Sequence, residues 1–291
     1  MVNKIKRYKT KLSNKGATMV RTMVRMKSIK IWMVIIAVLV MAVNLNAGNI
    51  PSAARVWNYN IITANISKDF GIIAIPGFKY EFLKYVNEKR VTSKGALAYE
   101  FFIGPYIKTH IGKVKVMIPV VYHYMGFPNT PTDTDFSYNH NIDIFSSFLY
   151  KHKKSIFQWR IFFHNTFYST LYKYMPITQE SKGGYSLLLK LRARYSYWVS
   201  KKVALSFGDE VLYGLIENSG IPAKTGPGFT ESGFDANRLM GGIMLRINKN
   251  LTISPYYLYE TTYAKNKTTS KKELTSRSHY LFLLIKYNFK L

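Results

Sequence analysis

The stretch SHYLFLLIKYNFKL, residues 278–291, alternates between two kinds of side chain along most of its length. One face carries six large apolar side chains: Leu281, Leu283, Ile285, Tyr287, Phe289 and Leu291. The opposite face ends in Lys286, Asn288 and Lys290. A period of two residues is that of a β-strand, because successive side chains point to opposite faces of a sheet. The stretch therefore predicts a strand whose outer surface meets an apolar environment.

Eleven segments of twelve to fifteen residues share this alternation. They span residues 55–66, 70–84, 96–110, 113–125, 138–150, 155–169, 185–198, 203–215, 236–247, 251–263 and 279–291. Strands of globular proteins usually have five or six residues, whereas about 9–11 tilted residues cross a bilayer. In hydrocarbon a sheet must close on itself so that every backbone amide is paired. The pattern predicts an all-β protein, an antiparallel transmembrane β-barrel. The alternative is a soluble β-sandwich, which also alternates but has shorter strands.

Between these segments, short basic turns alternate with longer polar stretches. The short turns lie at 67–69, 111–113, 151–154, 200–202 and 248–250. The longer stretches lie at 85–95, 126–137, 170–184, 216–234 and 264–277. This asymmetry is typical of bacterial outer-membrane barrels, which also have an even number of strands in a single chain. Because eleven breaks that rule, we expect about 12 strands, with 10 as the alternative, or an N-terminal segment that is not an ordinary wall strand.

The N-terminal region differs in composition from the rest of the chain. The 291 residues include 42 Lys plus Arg against 15 Asp plus Glu, and ten of the basic residues, with no acidic one, fall within 1–47. Lys27 and Lys30 precede an apolar run from Ile31 to Val43, which is the plan of a signal peptide with cleavage expected after Ala47. A membrane anchor would need about 20 apolar residues. The expected organisation is an extension and signal peptide at 1–47, starting at Met1 or Met26, and one barrel domain at 48–291.

The stretch GFDANRLMGGIMLRINKNLTISPYYLYE, residues 233–260, resembles the outer-membrane family known as domain of unknown function 2490. The positions that carry the resemblance include Asp235, Asn237, Arg238, Gly241 and Tyr257. The segment SFGDEVLYGL, 206–215, and the segment around Trp57 are also similar to strands of that family. The resemblance implies a barrel in the bacterial outer membrane, inserted by the barrel-assembly machinery, and it implies no established activity. The final residue departs from the family, because Leu291 stands where Phe is common.

If the apolar face meets lipid, the other face lines the lumen. The predicted lumenal charge cluster comprises Arg160, Lys190, Arg192, Arg194, Glu210, Arg238, Arg246 and Glu260. Counting from a turn centred on Lys249 places Arg238 opposite Glu260, and a three-residue turn would pair Arg192 with Glu210. One interpretation is that ion pairs fill and stiffen a narrow barrel. The other is a positively charged path that favours anions, since barrels of ten or twelve strands lie between filled and open cases.

The expected function is therefore structural, or that of a narrow anion-favouring conduit in the outer membrane. The alternative is a lipid-modifying hydrolase with a Ser/His site at the barrel rim, but no Ser is suitably placed near His140, and Ser278 and His279 point to opposite faces of one strand. The sequence leaves enzymatic activity open, favours a role without it and gives no catalytic residue.

Metals, cofactors and nucleic acid are not expected from the residue pattern. No pair of His shares a strand face with a carboxylate at close spacing, so the pattern predicts no metal site and no cofactor. The chain has no Cys and no groove-binding motif for nucleic acid. Basic turns and loops are suited to anionic lipid headgroups, so outer-membrane lipid is the expected partner of a monomer. Which solute passes, if any, and whether the lumen is open or plugged stay open.

Overall fold

A computed structural model describes residues 50–93, 95–128, 136–168, 184–217, 231–266 and 268–291. Twelve strands make up the regular structure of these residues. The strands are β1 (Ser52–Asn65), β2 (Phe70–Val86), β3 (Lys89–Val91), β4 (Gly95–Ile111), β5 (Val114–Pro128), β6 (Phe136–His152), β7 (Ser155–Tyr168), β8 (Gly184–Trp198), β9 (Val203–Ile216), β10 (Gly233–Arg246), β11 (Leu251–Lys265) and β12 (Lys272–Lys290). A helix long and apolar enough to span a membrane does not occur within these ranges. The predicted signal peptide and its cleavage after Ala47 lie outside the described residues.

The strands form one sheet that closes into a barrel, which confirms the predicted all-β barrel and excludes the two-sheet sandwich. From β4 to β12 each strand pairs with the next in sequence, antiparallel throughout, and β2 pairs with β4. The strand β1 pairs antiparallel with β2 on one side and parallel with β12 on the other, which completes the closure. The three-residue β3 pairs only with the end of β2 and stays outside the wall.

The total of twelve strands agrees with the prediction, but the expected even number of wall strands is wrong. Eleven strands form the closed wall of the described residues. In an odd antiparallel series the first and last strands run in the same direction, and β1 and β12 are parallel over fourteen residue pairs, from Ser52↔Arg277 to Asn65↔Lys290. The N-terminal segment is the unusual wall strand that the sequence left as an option.

The five predicted short turns join β1–β2, β4–β5, β6–β7, β8–β9 and β10–β11 at one end of the barrel. Three of them use a polar side chain at the first turn position to accept backbone N–H groups. Ser67 Oγ and Ser200 Oγ each bind the amide three residues on, and Asn248 Oδ1 binds the amides of Asn250 and Leu251. Such side-chain turns are short and self-contained. They help to set the register of the β1–β2, β8–β9 and β10–β11 hairpins.

Alternation along each strand separates an apolar outer surface from a mixed interior. Exposed apolar side chains occur on the outer face from β2 to β10, for example Ile72, Phe101, Ile144, Trp159 and Phe207. Their sequence neighbours Ile73, Phe102 and Phe145 are buried inside. A monomeric soluble protein rarely exposes an apolar surface that extends over so many strands.

Two groups of buried apolar side chains lie in the barrel interior. One group consists of Trp57, Ala204, Met240, Met244, Tyr256, Leu258, Tyr280, Phe282 and Leu284. The other consists of Ile73, Ile75, Phe102, Tyr106, Val121, Phe145 and Phe162. Tyr59 and Ile61 of β1 pack against both groups. The first strand thus connects the two halves of the interior.

Gly242 on β10 allows a close approach between β10 and β11. A Cβ atom there would lie 2.3 Å from the carbonyl oxygen of Pro255 and 2.8 Å from Cα of Tyr256. We expect Gly242→Ala to lower the free energy of unfolding by about 1–3 kcal/mol, because the strands must move apart. Urea unfolding in detergent micelles, followed by Trp fluorescence, measures the change.

The neighbouring Gly241 provides the matched control. A Cβ atom at Gly241 would meet a ring carbon of Phe207 at 3.5 Å, an ordinary contact. Gly241→Ala should therefore change the free energy of unfolding by less than about 0.5 kcal/mol. If the two substitutions lower the free energy of unfolding equally, the close approach of β10 and β11 is not what excludes a side chain at position 242.

Candidate functional site

A cavity of about 250 Å³ lies inside the barrel. Its cationic lining comprises Lys79, Arg160, Lys190, Arg192, Arg238 and Lys286. Its acidic lining comprises Glu100, Glu210 and Asp235. Apolar and aromatic side chains and two histidines make up the rest. Typical small-molecule sites measure roughly 300–1,000 Å³, so this cavity suits a small ion or acid rather than a large solute.

The structure brings five of the eight predicted lumenal charges to this cavity: Arg160, Lys190, Arg192, Glu210 and Arg238. Two others are buried next to it. Arg194 donates to the hydroxyl of Tyr256 at 3.3 Å and to Gln158, and Glu260 bonds to Arg238. Arg246 lies apart from the cavity, exposed at the end with the short turns, with its guanidinium 4.2 Å from the centre of the Trp198 ring.

Arg238 on β10 bridges carboxylates on both neighbouring strands. As the turn count predicted, it lies opposite Glu260, and its Nε donates to Glu260 Oε2 at 2.5 Å. Its Nη1 donates to Glu210 Oε2 at 3.1 Å. The other oxygen of Glu210 accepts from Arg160 Nη2 at 2.6 Å, and Tyr280 donates to Glu260 Oε1 at 2.9 Å. Charge-assisted bonds of this kind are about twice as strong as neutral ones, so this chain of contacts ties together β7, β9, β10, β11 and β12.

Three cations of the cavity lining make no ion pair within the described ranges: Lys190, Arg192 and Lys286. Arg192 lies opposite Glu210 in the register, but the two side chains do not form the expected ion pair, because Arg160 and Arg238 already hold the Glu210 carboxylate. The ammonium of Lys190 lies 4.7 Å from the centre of the Phe162 ring. In the described part of the chain, no carboxylate lies within ion-pair distance of these three side chains.

Polar contacts from β1 hold the closing strand in place. Arg55 forms an ion pair of 2.9 Å with Glu81 on β2. It also donates to the hydroxyls of Ser278 and Tyr280 on β12, at 2.8 and 2.9 Å. Tyr59 donates to Glu100, whose other oxygen accepts from Lys79 at 2.9 Å. The contacts of Arg55 with β12 could not be predicted from the sequence, because no turn count relates β1 to β12.

His123 on β5, Asp143 on β6 and His164 on β7 meet inside the barrel, and all three are buried. Nδ1 of His123 lies 2.7 Å from Asp143 Oδ2, and Nδ1 of His164 lies 2.7 Å from Asp143 Oδ1. Close spacing along a single strand, on which the expectation of no metal site was based, could not reveal this group, because its three residues come from three strands. Counting from the β6–β7 turn could have found one of the two contacts. Asp143 and His164 are equally far from the turn at Lys153 and Lys154, and they pair in the register.

The family-motif residues have separate structural roles. A register shift between Phe234 and Ala236 turns Asp235 into the cavity, as a β-bulge does when it re-aims a side chain. Asn237 lies on the outer face and donates to Asp209 Oδ1 at 2.6 Å. Tyr257 contacts His279 Nδ1 through its hydroxyl at 2.7 Å. Of the five motif positions, only Asp235 and Arg238 reach the cavity.

Two histidines outside the cavity contact tyrosine hydroxyls in the described part of the chain. Tyr122 contacts His140 Nδ1 at 2.6 Å, and His279 contacts Tyr257. Ser278 and His279 lie on opposite faces of β12, as predicted, because Ser278 accepts from the interior side chain of Arg55.

The model of the protein family of unknown function DUF2490 matches residues 55–271. Neither a curated protein nor a solved structure shows a significant match to the chain.

Proposed function

We propose that this chain, which belongs to the DUF2490 family, is an outer-membrane β-barrel that forms a narrow path favouring small anions. The outer-membrane part of the proposal is supported by the apolar outer surface. Strands of 14 to 19 residues in the wall are long enough to cross a bilayer when tilted. In this proposal the short turns face the periplasm and the longer connections face the outside.

The observation that carries the anion preference is the group of three cations without ion pairs, Lys190, Arg192 and Lys286. Charges held in low-dielectric surroundings focus the electric field and raise the local concentration of counter-ions. The lining as a whole has six cations and three carboxylates. A small anion that enters the cavity therefore meets a favourable potential.

The interior packing limits what can pass. Two apolar groups and the Arg160–Glu210–Arg238–Glu260 chain occupy much of the barrel. The proposed path is narrow, with a conductance far below that of an open porin of 16 to 18 strands.

The proposed partners are outer-membrane lipids and, during insertion, the barrel-assembly machinery. The protein would be a monomer whose outer surface contacts lipid acyl chains. Basic turns such as Gly112–Lys113 and Lys153–Lys154 would contact anionic headgroups.

Two measurements test the proposal. Cell fractionation should recover the protein in the outer membrane, and the unheated protein should migrate faster than the heated one on SDS gels, because a closed barrel resists unfolding by detergent. In planar bilayers with a salt gradient, we expect small unitary currents. Their reversal potential should have the sign that indicates anion selectivity. A protein found in the soluble periplasmic fraction would overturn the location, and cation-selective currents or their complete absence would overturn the conduit.

A further inference from the structure

We propose that His123, Asp143 and His164 form a binding site for one divalent transition-metal ion of the Zn²⁺ type inside the barrel. Two imidazole nitrogens and one carboxylate oxygen are a donor set that suits Zn²⁺ and neighbouring first-row ions. The site goes beyond the proposed conduit, since it requires no current and no membrane.

Three adjacent strands position the donors. Asp143 on β6 lies opposite His164 on β7, and on the other side it lies opposite Val121, two residues from His123 on β5. Adjacent strands are about 4.8 Å apart, so the inward side chains of these three strands reach one another. The ring of His123 stacks on Phe102 with a centroid distance of 3.5 Å. Asn141 donates to the backbone carbonyl of His123 at 2.9 Å, which fixes the backbone at that point.

The donor atoms are already gathered. Each Nδ1 faces a different oxygen of Asp143, and the donor atoms of all three residues lie within 4.8 Å of one another. An ion about 2.0–2.2 Å from each donor requires small side-chain rotations and no movement of the strands. On binding, each histidine would lose the proton that Nδ1 now shares with Asp143. Nε2 of the same ring would take up a proton, so each histidine stays neutral.

Two further observations favour an ion over a purely hydrogen-bonded core. The carboxylate of Asp143 is fully buried, and buried charges in proteins are paired or coordinate metals. Nε2 of His123 is buried without a hydrogen-bond partner, so the proton that Asp143 now holds at Nδ1 can move to Nε2 without breaking a contact there, and this move frees the Nδ1 lone pair for an ion.

The remaining coordination positions would face the cavity. His123 and His164 both line it, and three protein donors leave a Zn²⁺ ion at least one open position. Because the cavity lining has twice as many cations as carboxylates, the additional ligand would be a water or a small anion.

Metal titration of the full chain in detergent tests the site. The protein is treated with EDTA, dialysed and titrated with Co²⁺, whose visible absorption reports the ligand set, and Zn²⁺ is then added as competitor. We expect one Co²⁺ per chain, displaced by one Zn²⁺. Asp143→Asn and His164→Gln should each weaken binding by at least about 10- to 100-fold, the loss seen even for residues that only support a metal ligand.

His140→Gln is the matched control, since His140 lies on the outer face of the same strand β6 and contacts Tyr122. It should leave the stoichiometry and affinity unchanged, and the faster migration of unheated protein on gels verifies the fold of every variant. Absence of a Co²⁺ spectrum in the unaltered protein would overturn the site, as would equal binding by the folded Asp143 and His164 variants. If neither variant folds, the unaltered protein still decides, because the site requires Zn²⁺ to raise its urea unfolding midpoint.

Discussion

Replacing Arg238 with methionine is expected to lower the free energy of unfolding by about 3–5 kcal/mol, the usual cost of removing one partner from a buried ion pair. Arg238 is the sole cation in ion-pair contact with Glu260 among the described residues, and it shares Glu210 with Arg160. Without it, the buried Glu260 carboxylate keeps one hydrogen bond, from Tyr280. Urea unfolding in detergent micelles, with refolding to verify equilibrium, measures the change.

The matched control for this prediction is Arg246→Met on the same strand. Arg246 is exposed and stacks on Trp198 without an ion pair in the described part of the chain, so its loss should cost under about 1 kcal/mol. The double substitution Arg238→Met with Glu260→Gln should recover part of the lost stability, because it also removes the uncompensated charge. If Arg238→Met costs no more than Arg246→Met, the ion-pair chain does not stabilise the barrel.

Reversing two cavity charges, Arg192→Glu with Lys286→Glu, is expected to turn an anion preference into a cation preference. The lining would change from six cations and three carboxylates to four cations and five carboxylates. Charges about 6 Å apart at an effective dielectric constant of about 20 interact by about 2.8 kcal/mol, or roughly a hundredfold in relative occupancy. The reversal potential in planar bilayers under a salt gradient should change sign.

These two positions are chosen because neither side chain forms an ion pair with a carboxylate of the residues that the structure describes. Arg194 is less suitable, because it donates to Tyr256 and Gln158. Lys113→Glu, in the β4–β5 turn outside the cavity, is the control for a change in surface charge and should leave the sign of the reversal potential unchanged. An unchanged selectivity in the double variant would mean that ions do not pass these side chains.

The barrel itself could be predicted because alternation is a local property. Each of the eleven segments carries its own period of two, and all eleven correspond to wall strands, although β12 starts at Lys272 rather than at 279. The parity of the wall could not be predicted in the same way. It depends on whether β1 pairs with β12, across a sequence separation of 225 residues, and no local pattern encodes the direction of that pairing.

The interior contacts could be predicted only where both residues belong to one short hairpin. Arg238 and Glu260 sit in one hairpin, so counting from its turn was enough. His123 and Asp143 lie on β5 and β6, which the sequence separates by the longer polar stretch 126–137 rather than by a short turn, so their pairing could not be counted from a turn. The position of Asp235 at the cavity could not be predicted for another reason: a register shift between Phe234 and Ala236 changes the face on which its side chain lies.

The parallel pairing of β1 with β12 also places the first and the last residue of the barrel wall at opposite ends of the barrel. Both strands start at the end with the long connections and finish at the end with the short turns. If the short turns face the periplasm, Ser52 begins at the cell surface while Lys290 ends in the periplasm, whereas an even-numbered barrel delivers both ends to the periplasm. Joining the two ends in a circular permutant would therefore take a linker about 45 Å long, the length of the 14-residue β1 at roughly 3.3 Å per residue.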